Sequence, residues 1–215
     1  MQTKGGIRTD LREKIIQSSL LLFEKKGFHG VTVNEIVKDV ETSKGGFYHH
    51  FTSKEELLYV IHDIFISYVL EKAEAANSSH TCPTDKLQAI IKDFVKVFDI
   101  YKPHISVFYQ ESIYLKPEYE SLIKQKRDQF KQLIFDTIAE GQADGEFRDD
   151  LPVEIAGMAI LGMVNWTYKW YQPTGKNTID EISDIFIDLI LQSIIPKEIE
   201  LGEEKRGRYG SDTSR

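Results

Sequence analysis

The chain has 215 residues, 41% hydrophobic and 28% charged, with 14 Gly and 6 Pro, the composition of an ordinary soluble globular protein able to bury a sizeable core. No apolar run reaches the roughly 18 residues a membrane span needs, the polar N-terminus is no secretory leader, and a single cysteine, Cys82, excludes an internal disulfide framework; the chain reads as cytoplasmic. The net charge of −7 argues against a polyanionic partner only until it is mapped: residues 1–60 hold nine basic and eight acidic residues (+1), and the other 18 basic and 26 acidic residues (−8) carry the acidity.

Apolar spacing is helical nearly throughout, with no strand-like alternation and no internal repeat, which predicts an all-α fold of about nine helices, three of them in a small N-terminal unit. Asp10 to Lys26 carries Leu11, Ile15 and Leu22 at helical spacing and stops at Gly27, a natural C-cap. Thr32-Val33-Asn34-Glu35 is a capping box that opens a short helix running to Val40. After a tight turn at Glu41-Thr42, Ser43 can cap a second short helix ending near Phe51. Ser53-Lys54-Glu55-Glu56 is another capping box, opening a long helix with Leu57, Ile61, Ile64, Phe65 and Tyr68 on one face. Residues 77–83 read as a loop. Amphipathic segments follow at 84–101, 104–115 and 117–144, the last ended by Gly145. Pro152 opens an unusually apolar helix reaching Tyr171, and Thr178-Ile179-Asp180-Glu181 caps a final one. Residues 202–215, Gly-rich and charged, are expected to be a disordered tail.

Two short helices joined by a tight turn, the second bearing small and polar residues, form the geometry that lays a helix in the major groove of DNA. Here the second helix reads Ser43-Lys44-Gly45-Gly46-Phe47-Tyr48-His49-His50-Phe51. Phe47 and Phe51, four apart, can anchor one face in a core, leaving Lys44, Tyr48 and His49 to meet phosphates or base edges. Gly45 and Gly46 each cost about 1 kcal/mol in a helix interior, and a close backbone approach to DNA supplies a reason for them. Thr32 caps its helix, whose N-terminus can also meet a phosphate.

From Phe23 to Leu57 the chain resembles the DNA-binding region of the TetR family of bacterial regulators. The resemblance is carried by Phe23, Gly27 and Phe28 ending the first helix, Thr32 opening the second, and the Ser43-Lys44-Gly45 start of the third. Tyr48 with Phe51, and Lys54-Glu55-Glu56-Leu57, complete it. It implies an Ω-shaped homodimer on double-stranded operator DNA, with residues 1–52 as the DNA-binding domain and 53–201 binding a ligand and dimerising. It also implies a phosphate contact for Lys54. Glu41 departs from the family pattern, standing where Gly is usual, so a left-handed backbone there would be strained. Thr42 stands in place of a common apolar residue and Gly46 in place of a base-reading side chain, which leaves Lys44, Thr42 and His49 as the main readers.

The family's last two helices form a four-helix bundle between subunits, which implies a dimer interface at Ala159, Gly162, Ile182, Phe186 and Leu189. Other aromatic residues can instead line an apolar pocket: Phe65, Phe94, Phe98, Phe108, Tyr109, Trp166 and Trp170. Residues 162–173 also resemble regulators of fatty-acid, sterol or aromatic-acid breakdown, several of which sense acyl-CoA thioesters. The expectation is therefore a repressor released from its operator by a small apolar or acyl-CoA-like inducer, a generic lipophilic compound being the alternative. His49 and His50 point about 100° apart and lack further ligands, so no metal, cofactor, catalytic constellation or membrane partner is expected. The rival reading is a helical carrier with a degenerate head, favoured only by Glu41 and the acidic balance.

Overall fold

The computed structural model describes residues 10–196, and every regular element among them is a helix. The predicted tail at 202–215 lies outside the described residues. α1 (Leu11–Lys26) ends at Gly27, whose φ of +72° turns the chain out of the helix. α2 (Val33–Asp39) opens with the full capping box: Thr32 Oγ1 accepts the Glu35 N–H at 3.2 Å, and the Glu35 carboxylate accepts the Thr32 N–H at 2.8 Å. α3 (Lys44–His50) is capped by Ser43 Oγ, which accepts the Gly46 N–H at 3.1 Å. α4 (Lys54–Ser79) starts with Ser53 accepting the Glu56 N–H, but the Glu56 carboxylate serves the N–H and hydroxyl of Thr52, so the predicted box is displaced by one residue.

The predicted loop at 77–83 is shorter than expected. Ser78 and Ser79 donate their hydroxyls back to the Glu74 and Ala75 carbonyls at 2.8 Å, and the polar side chains that suggested a loop instead satisfy the last turns of α4. α5 (Pro83–Ile100) then begins at its proline. The predicted helix at 104–115 divides into α6 (Lys102–Gln110) and a single 3-10 turn, Ser112–Tyr114, ahead of α7 (Pro117–Ala143). The predicted apolar helix 152–171 breaks at Trp166 into α8 (Val153–Asn165) and the one-turn α9 (Thr167–Trp170). There the Lys169 N–H bonds the Trp166 carbonyl, three residues back, tightening the chain into a new turn. α10 (Ile179–Ile194) opens with a complete Thr178–Glu181 box.

α4 is the hub of the molecule, flanked by α5, α6 and α7; α10 lies along α5, α8 against α7, and α1 rests on α6 while holding α2 and α3. One continuous apolar core runs from Phe23, Phe47 and Phe51 through Leu57 and Phe65 to Phe98 and Ile134. Each such side chain withdrawn from water contributes about 1.5–3 kcal/mol. A Cβ on Gly157 would collide with the Phe135 ring, so this glycine brings α8 close to α7 of its own chain. No helix among the described residues is long and apolar enough to cross a membrane.

Candidate nucleic-acid interface

α3 is turned outward by its preceding turn. The Thr42 N–H donates to Val37 O at 2.8 Å and the Glu41 N–H to Lys38 O at 3.3 Å, the paired bonds of a Schellman turn. This turn places its first non-helical residue in the left-handed region, and Glu41 lies there at φ +54°, at a cost of about 1 kcal/mol relative to glycine. Phe47 and Phe51 are buried with ring centroids 5.7 Å apart, fixing the inner face of α3. On the outer face Lys44, Gly45, Tyr48 and His49 are exposed; Ser43 is exposed at the cap, with Thr42 half-buried behind it. Thr32 is likewise exposed at the start of α2. Its partner Glu35 is held down to about 2, first by the hydrogen bond from the Lys26 ammonium at 2.8 Å and then by its bonds to Thr32.

The two glycines of α3 have different reasons, which corrects the expectation that DNA accounts for both. A Cβ on Gly46 would collide with Thr42 Oγ1, so these two positions are matched within the chain. A Cβ on Gly45 would meet only Ser43 Oγ at an ordinary 3.5 Å. Folding does not demand glycine at position 45.

Lys54, for which the resemblance implies a phosphate contact, has its ammonium engaged within the chain. Its ammonium donates to Phe28 O at 2.8 Å and Val31 O at 2.7 Å and stands 4.1 Å above the Phe28 ring centroid. Phe28 O also accepts the Val31 N–H at 3.4 Å, and burial lowers the lysine pKa against the pull of Glu55 and Glu35. The Phe28 N–H donates to Glu111 Oε2 at 3.1 Å, and its ring stacks 5.9 Å from that of Tyr114. Glu111, at the end of α6, is buried.

A cavity of about 310 Å³ lies among α4 to α8. It brings together Phe65, Phe94, Phe108 and Tyr109, with Arg127 on its wall. Tyr109 donates its hydroxyl to Asn165 Oδ1 at 2.7 Å, and burial pushes that phenol above its usual range. Three of the expected pocket residues do not line this cavity, although Trp170 borders a groove of about 360 Å³ with Ile182 and Phe186. Phe98, one turn from Phe94, lines a separate groove of about 180 Å³ with Lys102 and Tyr168. Trp166 and Trp170 are 61% and 44% exposed, because the break at Trp166 redirects the chain and leaves Tyr168 to stack on Tyr109 at 4.3 Å. The sequence reading missed Met158, Leu161 and Asn165, which line the cavity at i, i+3 and i+7 along α8, a spacing masked by apolar residues on the helix's other sides.

Ile182, expected between subunits, is only 6% exposed and packs within its own chain where α10 lies on α5. Ala159, Gly162 and Leu189 are exposed and Phe186 is half-buried. Ile155 and Met158 on α8, Trp166 just after it and Ile185 on α10 are exposed large apolar side chains beside them.

The sequence signature described as bacterial regulatory proteins, tetR family, matches residues 15–60, and that of the tetracyclin repressor-like C-terminal domain matches residues 80–194. The chain belongs to the TetR family. Among relatives of this TetR-family regulator, the transcriptional repressor KstR2 of Mycolicibacterium smegmatis is 23% identical over 185 residues, covering 85% of this chain and 90% of the relative. The structure of the ketosteroid regulator KstR2 of Mycobacterium tuberculosis superposes with a TM-score of 0.80 at 22% identity, over 91% of this chain and all of the other. AibR, solved with isovaleryl coenzyme A and operator DNA, gives a TM-score of 0.75 at 22% identity over 84% and 97% of the two chains.

Proposed function

We propose that this TetR-family regulator is a cytoplasmic homodimeric repressor that lays α3 of each subunit in the major groove of operator DNA. What carries the proposal is the two-faced α3, with Phe47 and Phe51 buried and Lys44, Tyr48 and His49 exposed. Residues 1–52 form the reading head and 53–201 the ligand-binding and dimerisation unit. Lys44 and Tyr48 meet phosphates, Thr42 and His49 read base edges, and Thr32 and Ser43 bring helix N-termini to the backbone. Gly45 lets the α3 backbone approach the duplex. The dimer forms across Ala159, Gly162, Phe186 and Leu189 with their exposed apolar neighbours.

The cavity takes a small apolar or acyl-CoA-like inducer: most of its wall is apolar, and Arg127 and Lys131, beside the acidic Asp128, offer charge for an anionic group. KstR2, named a ketosteroid regulator, and AibR, solved with isovaleryl coenzyme A, support that class. Occupancy shifts α4, which links cavity and head, and weakens operator binding because the ligand favours one dimer geometry over the other.

The test is a gel shift with DNA flanking the protein's own coding region. Lys44→Ala should lower the salt slope by about one per subunit. Gly45→Ala should stabilise the free protein by up to about 1 kcal/mol yet weaken the complex. Wild-type affinity in both variants would refute the placement of α3.

A further inference from the structure

We infer that Glu111 is a positioning residue for DNA recognition: through the Phe28 amide it fixes the reading head on the regulatory body and so sets the half-site spacing the dimer accepts. This rests on the homodimer proposed above. Both backbone polar groups of Phe28 are held, its N–H by Glu111 Oε2 at 3.1 Å and its carbonyl by Lys54 Nζ at 2.8 Å. Gly27 precedes the first of these bonds with a φ of +72°, in the left-handed region that favours glycine, and a Cβ there would meet Glu111 Oε1 at an ordinary 3.6 Å.

The two ends of this contact matter for different reasons. Glu111 closes α6, whose Phe108 and Tyr109, three and two residues earlier, line the cavity. Lys54 also holds Val31 O, directly before the Thr32 cap of α2. A displacement of α6 is therefore passed through the Glu111 carboxylate, the Phe28 backbone and the Lys54 ammonium to the start of the helix pair that reads DNA. The bond spans 83 positions in the chain and joins the head to the body by a polar, directional link, where apolar packing alone would tolerate sliding.

The experiment uses the full-length dimer and its footprinted operator, together with copies lengthened or shortened by one base pair between half-sites. Wild type should prefer the natural spacing by about tenfold or more. Glu111→Leu should remain dimeric by sedimentation and lose most of that preference. Glu111→Gln, which keeps an acceptor for the Phe28 N–H, should restore it. Glu111→Asp, one methylene short of the amide, replaces the leucine variant if that one does not fold. An unchanged preference in the Leu or Asp dimer overturns the inference, as does a Gln variant that behaves like Leu. A wild-type dimer indifferent to spacing also overturns it. A wild type monomeric on DNA overturns the dimer reading instead.

Discussion

Acid should weaken this fold through His62, a residue with no part in reading DNA. The imidazole is buried in α4 with its Nδ1 2.9 Å from Leu58 O, its Nε2 without a hydrogen-bond partner, and its ring 5.2 Å from that of Phe108. Burial is the main reason its pKa falls from 6.5 to about 4; the Arg127 charge adds to this, and the hydrogen bond to the Leu58 carbonyl opposes it. A histidine kept neutral in the fold contributes stability that is fully present above 6.5 and is lost as pH falls toward 4, because only the unfolded chain binds the proton in that window. The whole gap is worth about 3 kcal/mol. Urea unfolding of wild type and His62→Phe at about pH 7.5 and about pH 4.5, at one chain concentration, isolates this contribution, because carboxylates and His104 titrate in both proteins. Wild type should lose about 2–3 kcal/mol more than the variant between the two pH values, whatever the packing cost of the substitution itself. Parallel losses would refute the buried neutral imidazole.

Two further outcomes follow from the backbone and the surface. Glu41→Gly removes the left-handed strain at φ +54° and should raise the unfolding free energy by about 0.5–1 kcal/mol in a calorimetric melt; a fall would mean that the Schellman turn is unstrained. Leu189→Glu, placed on the exposed apolar face of α10, should halve the mass seen by sedimentation without lowering helicity, and an unchanged mass would move the subunit contact elsewhere.

Much of the DNA-reading head was legible because its signals are local. Caps at Thr32 and Ser43, the i, i+4 pair Phe47 and Phe51, and the misfit of Glu41 at a left-handed position can each be read within a few residues. The regulatory part was less so. α8 is apolar on nearly every side, so periodicity could not tell the cavity-facing Leu161 from the outward Trp166, and Ile182 looks no different in sequence from the exposed Ile185. Lys54 and Glu111 were opaque for another reason: their partners are backbone atoms 26 and 83 positions away, and a charged side chain turned toward a distant carbonyl or amide leaves no mark in its neighbourhood.

Met158 and Gly162 belong at once to the cavity wall and to the outward face of α8. If that face is where subunits meet, the doorway for the effector is framed by the other subunit, and the amount of protein in the cell enters the dose–response curve. Scarce protein would then respond at a different effector level from abundant protein, so expression strength becomes a tuning knob on sensitivity as well as on repression.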